Sequence, residues 1–283
     1  MLLHTRTNLA SEAHALLSPS VTEYDGIAAH DEKLHGLHVV SVDILNDNGA
    51  ALINKPVGKY YTLTLGGRFE RGAQQFSSAA CAISELILRC AGRDSINSCL
   101  VAALGNPDIT PDAVGSIVAA NILVTRHLKE GNISGFDGFS SCALCRTGVL
   151  GTTGVESAAQ IRALVDVVRP QLVIAVDALA GSDMSTLCRT VQICSSGIAP
   201  GSGVGNDREA LCEETLGVPV IAIGVPTVID ASAFAEDEEL KGMFVTPRDI
   251  DSLVRAAGKL IGYGINLAVH IGLRVEDVDM LVG

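Results

Sequence analysis

Two aspartates stand where ligands and catalytic groups collect in open parallel sheets, beyond the carboxyl ends of strands. The apolar run 99–104 leads into Gly105-Asn106-Pro107-Asp108-Ile109-Thr110-Pro111-Asp112-Ala113-Val114-Gly115, with Thr110 placed to cap a helix and Asp112 in its first turn. The apolar run 172–176 leads directly into Asp177-Ala178-Leu179-Ala180. If the two strands are neighbours in one sheet, Asp112 and Asp177 share a rim and can face each other. Two carboxyls that share a proton can carry out hydrolysis: the ionised one draws a proton from water while the protonated one assists the carbonyl oxygen. Each residue also has a plain structural reading. An acid in a first helical turn gains a few tenths to about 1 kcal/mol from the helix dipole, and a carboxylate after five apolar residues can be held by loop N–H groups alone.

Other chemistry-bearing residues are less well spaced. The eight cysteines include one C-x-x-C, Cys142-Ala143-Leu144-Cys145, with no second pair at zinc-ribbon spacing. His127, Cys188 and Cys194 match no standard site, so the thiols read as reduced, buried small hydrophobes. Two glycine-rich loops, residues 148–154 and 197–206, invite a phosphate-cradle reading. In the second, Gly201, Gly203 and Gly205 are followed by Asn206 where G-x-G-x-x-G needs its last glycine, and no G-x-x-x-x-G-K-[ST] occurs, so turns needing positive φ are expected instead. Neither G-x-S-x-G nor H-E-x-x-H is present, and after His38 only His127 and His270 remain to serve a triad.

The elements that must position the aspartates follow from periodicity. Residues 1–36 read as an irregular N-terminal segment. Residues 38–44 alternate as a half-buried strand, Asn46-Asp47-Asn48-Gly49 reads as a turn, and residues 50–53 and 60–65 continue the strand signal. Apolar residues at helical spacing predict a helix over 74–90. Strands are expected at 99–104, 172–176, 190–194 and 218–224, with helices at 111–128, 156–168 and 207–216. A last helix, 247–271, opens with Thr246 as N-cap and Pro247 in the first helical position. The alternation predicts a single α/β domain with a mainly parallel sheet and helices on both faces: residues 96–283 form the core, and residues 1–95 a β-rich N-terminal embellishment.

Composition narrows the function classes. Twenty Lys and Arg stand against 32 Asp and Glu, a formal charge of −12, and an anionic surface repels phosphate backbones, which argues against direct nucleic-acid binding. Mean hydropathy is high, at +0.36. The most apolar stretches, 171–180 and 218–229, are nevertheless interrupted by Asp177 and by Pro219 and Pro226, and fall short of the ~20 residues a bilayer needs. The amino terminus shows no basic region followed by an apolar core, so a cytoplasmic address is expected.

Several segments occur together in one order: Arg6-Thr7-Asn8-Leu9-Ala10-Ser11-Glu12-Ala13, Ile53-Asn54-Lys55-Pro56-Val57-Gly58-Lys59-Tyr60, residues 104–115, Val124-Thr125-Arg126-His127-Leu128, and residues 148–156, 176–180, 197–208 and 214–228. Across most of the chain they resemble the germination proteases (spore proteases) of spore-forming Firmicutes. Val245-Thr246-Pro247 and Gly264-Ile265-Asn266 are similar too. The resemblance implies an aspartic-type endopeptidase, without cofactor, that degrades small acid-soluble spore proteins at germination. It implies a homotetramer in the spore core, and its two catalytic aspartates fall on Asp112 and Asp177. Gly105-Asn106 followed six residues later by Asp112 also resembles hydrogenase-maturation endopeptidases, a related α/β fold that recruits a metal with two carboxylates and a histidine. No histidine lies between His127 and His270, which favours a metal-free pair unless His127 approaches from the helix begun at Pro111. Two further readings remain: a metal-assisted maturation-type peptidase, and a non-catalytic binder of the same fold. Asn8, Thr147 and Cys194-Ser195-Ser196 depart from the family pattern. Only residues 1–5 precede the Arg6-Thr7-Asn8 segment, so no activating removal of a propeptide is expected.

Overall fold

The computed structural model describes residues 7–17, 23–24, 26–66, 74–202, 205, 208–234, 240 and 242–282. In chain order the elements are α1 (Ala10–Leu17), β1 (Glu23–Tyr24), β2 (Ile27–Leu34), β3 (Leu37–Ile44), α2 (Asp47–Ile53), β4 (Gly58–Thr64), α3 (Gln74–Ala91), β5 (Ser98–Ala103), α4 (Val114–Ala119) and α5 (Arg126–Glu130). There follow β6 (Ser141–Arg146), α6 (Leu150–Thr153), α7 (Ser157–Val168), β7 (Leu172–Gly181), β8 (Thr190–Cys194), α8 (Glu213–Leu216), β9 (Val220–Asp230), β10 (Phe244–Val245), α9 (Ile250–Val269) and α10 (Val275–Val282), with 3-10 turns at Thr110–Asp112 and Ala231–Ala233.

The strands form one sheet in the order β1-β2-β3-β4-β8-β9-β7-β5-β6, with β10 also paired to β9. Its two halves differ in kind. β9, β7, β5 and β6 run parallel, and β5 and β7 are near-continuous apolar runs buried on both faces, as helix-covered parallel strands must be. The β1-β2-β3-β4-β8-β9 half is antiparallel, so the sheet is mixed and not mainly parallel, and the β-rich N-terminal part adds its strands to the same sheet. On one face α3, α4 and α9 bury Phe76, Ile83, Val118, Leu260 and Tyr263 against Ile174 and Val176. On the other α7 buries Ala158, Ile161 and Val165 against Val173 and Ala175.

Several local expectations are corrected. The N-terminal segment contains α1 and the eight-residue strand β2. Asn46 to Ile53 is a capped helix, not turn and strand: Asn46 Oδ1 accepts from the Gly49 N–H at 3.0 Å, and asparagine serves turns and N-caps alike. The helix expected over 111–128 breaks after Ala119. Buried Asn266 accepts from the Leu123 N–H and donates to the Asn121 carbonyl, holding the chain out of helix there. Over 207–216 only Glu213–Leu216 is helical, and Gly203, Asn206 and Asp207 lie outside the described residues, as do residues 1–5. α9 starts at Ile250, while the Thr246 hydroxyl donates to the Thr227 carbonyl instead of capping a helix. The strand carrying Cys142 and Cys145, unforeseen in the sequence, is β6.

Candidate active site

β5 and β7 are adjacent and parallel, with Ala103 opposite Val176. β5 then stops while β7 runs on to Gly181, so Asp177 is not a residue after the strand but one inside it, just past its neighbour's end. Two glycines turn the chain away at that point. Gly105 has φ +96°, and a Cβ there would lie 2.1 Å from the Asp112 carbonyl oxygen; a Cβ on Gly115 would lie 2.2 Å from the Leu104 carbonyl oxygen. These close approaches fold the 106–112 loop back over the strand end. Asp112 therefore sits in a 3-10 turn, its Oδ2 accepting from the Asn106 N–H at 2.7 Å.

Both aspartates line one cavity of about 580 Å3 at this rim. Asp177 is 5% exposed and Asp112 half-buried. Burial, with the Asp112 charge adding to it and the Ala178 N–H at 2.9 Å opposing it, pushes Asp177 up to about 8. Asp112 is raised by burial and held back by the Asn106 N–H. At neutral pH the site thus holds a protonated Asp177 beside an Asp112 that ionises first, the separation expected when two carboxyls share a low-dielectric site.

The rest of the cavity wall was not legible as a site. The glycine-rich loops read as turns supply Val149, Leu150 and Gly151 from one and the 198–202 stretch from the other. Asn8 lies on the wall too: its N–H donates to the Ala180 carbonyl, its Oδ1 accepts from the Ala180 N–H, and its Nδ2 donates to Ser202 Oγ. The sequence flagged Asn8 only as a departure from the family pattern. The other departures lie elsewhere: buried Thr147 donates from its N–H to the Ala103 carbonyl, and Ser195 exchanges hydrogen bonds with Lys59 across β8 and β4.

Metal ligation finds a poor donor set. His127 is exposed on α5 and does not line the cavity. The C-x-x-C spans a strand, so Cys142 packs with Cys99 on one face and Cys145 toward α7 on the other. Among the described residues no three His, Cys, Asp or Glu side chains gather as a metal-binding group. No described helix is long and apolar enough to cross a membrane.

Fold and site together define an α/β protein with a carboxyl-lined cleft at the rim of its sheet. The profile of the germination protease family matches residues 5–239. Among curated relatives, the germination protease of Caldanaerobacter subterraneus is 37% identical over an alignment covering 100% of this chain and 99% of its own. That of Clostridium perfringens is 34% identical, with 98% and 99% covered, and that of Bacillus cytotoxicus 39% identical, with 82% and 65% covered. The chain belongs to the germination protease family and is a peptidase. A solved nickel–iron hydrogenase maturation protease from Thermococcus kodakarensis aligns over 60% of this chain and 93% of its own at 18% identity and a TM-score of 0.34.

Proposed function

We propose that this peptidase is an aspartic-type endopeptidase in which Asp112 and Asp177 activate water without a metal, and that it degrades small acid-soluble spore proteins at germination. The observation that carries the mechanism is that the two carboxyls line one cavity wall at the sheet rim, where burial raises both and the Asp112 charge raises Asp177 further. Ionised Asp112, oriented by the Asn106 N–H, takes a proton from the attacking water. Asp177 gives its proton to the scissile carbonyl oxygen as the tetrahedral centre forms. Collapse of that centre breaks the C–N bond, the proton held by Asp112 passes to the leaving amine, and Asp177 recovers its own. The substrate class rests on the family resemblance, as do the homotetramer and the spore-core location.

Asp112→Asn and Asp177→Asn each lower cleavage of a purified small acid-soluble spore protein by orders of magnitude while circular dichroism stays native. Near-normal turnover by either folded variant removes that residue from the mechanism. Failure of the wild-type protein to cut any such substrate would leave a non-catalytic binder as the better reading.

A further inference from the structure

Among the described residues, strand β7 beyond Val176 has a neighbouring strand on one side only. β9 stays paired with it through Gly181, but on the other side β5 ends at Ala103. In a parallel strand alternate residues turn their backbone groups to opposite neighbours, so Val176, Ala178 and Ala180 address the β5 side. The Val176 carbonyl accepts from the Leu104 N–H at 2.9 Å, and Ala180 is engaged through both its groups by Asn8. Ala178 lies between these two closures. Its N–H bends onto Asp177 Oδ1, it lines the cavity, and it is the single residue of β7 that is not buried.

We propose that the substrate is held as an extended peptide in the gap that β5 leaves beside β7, pairing its backbone with Ala178. An exposed strand edge recognises main chain in this way. Here the edge is bounded by Leu104 at one end and Asn8 at the other, so it admits one extended segment in one register, with its carbonyl beside Asp177. The occupant is a peptide and not a small molecule because what the gap offers is a strand edge, the Ala178 carbonyl set between groups that Leu104 and Asn8 already pair in strand fashion, while the Ala178 N–H is turned to Asp177. The inference rests on the aspartate-pair reading for the position of the scissile bond, but not for the docking itself.

The test is a positional N-methyl scan of a ten-residue peptide, taken from a small acid-soluble spore protein, that the wild-type protein cuts. Binding is measured to the Asp112→Asn protein. Methylation at the single amide that meets the Ala178 carbonyl is expected to weaken binding about tenfold, equivalent to about 1.4 kcal/mol, while both adjacent amides tolerate it within about twofold because they point away from the edge. Uniform tolerance along the peptide, or losses at consecutive amides, overturns the docking and leaves the pair mechanism standing. If Asp112→Asn still cuts the peptide, the pair mechanism falls instead, and the scan is read from kcat/KM with the same pattern deciding.

Discussion

Asp177 and its surroundings make pH the first lever at the scale of single residues. Its folded pKa, about 8, stands well above the ordinary value near 4 that it regains in the unfolded chain. A group raised in the folded state contributes stability that is full below about pH 4 and is lost as pH climbs through about 8. Stability from this carboxyl should therefore decline across that window by something of the order of 5 kcal/mol. Asp177→Asn removes the slope, so urea midpoints of variant and wild type coincide near pH 4 and the variant is the more stable at pH 8. An unchanged slope in the variant would assign the titration to another group. Cleavage follows the same residue on its alkaline side, with kcat/KM falling above about pH 8 as Asp177 loses the proton it must donate, and falling in acid as Asp112 gains one.

Among the elements, the short helix α4 has the most to position, since its amino end carries the turn bearing Asp112. Gly115 lets it approach the end of β5: the atoms nearest a Cβ there are all backbone, the Leu104 oxygen at 2.2 Å, the Leu104 nitrogen at 2.6 Å and the Val176 oxygen at 3.0 Å. None of these can move aside as a side chain end could. Gly115→Ala should lower stability by about 3 kcal/mol and depress cleavage further than that loss explains at temperatures where the variant is fully folded. At the other end of α4, Asn266 is 1% exposed and satisfies both the Leu123 N–H and the Asn121 carbonyl. Asn266→Leu leaves two part-buried backbone groups without this partner and should lower stability by about 2 kcal/mol, whereas a surface substitution such as Arg274→Gln should change the urea midpoint little.

On the scale of the whole molecule, the N-terminal stretch ties the site to the sheet. Glu12 accepts from the hydroxyls of Thr7, Ser182 and Thr186 and from the Ser182 N–H. Gln192 bonds Asn8 and Ala10, and the Lys55 ammonium donates to the Thr7 carbonyl. Glu12→Ala takes the carboxylate from the Thr7 hydroxyl and from the Ser182 N–H and hydroxyl, while Thr186 keeps the Asp183 carbonyl, and hydrogen exchange at the Ala180 amide should then accelerate as Asn8 comes loose. Unchanged exchange there would mean that the stretch holds on without Glu12. The donor set makes a molecule-wide prediction as well: with His127 exposed on α5 and absent from the cleft wall, cleavage should survive exhaustive chelation, and its loss followed by rescue with zinc would restore the metal-assisted reading.

Local signals carried a good part of this protein in the sequence alone. The 74–91 helix, the buried strands and the two aspartates near strand ends were all legible, because helical spacing and continuous apolar runs are set by neighbours a few residues away. Family membership was legible too, from motifs carried in order. Where local chemistry is ambiguous, the reading failed: Asn46-Asp47-Asn48-Gly49 suits a turn or an N-cap, and residues 111–128 carry helical spacing straight through a break imposed by Asn266, more than 140 positions away. Tertiary structure alone decided that β5 stops one residue short of Asp177, that Asn8 closes the same edge from 172 residues away, and that the two aspartates come to differ in proton affinity. Each of these depends on which distant strands pair and how deeply a side chain is buried, and burial, the main cause of the Asp177 shift, is a property of the assembled fold that no stretch of sequence contains.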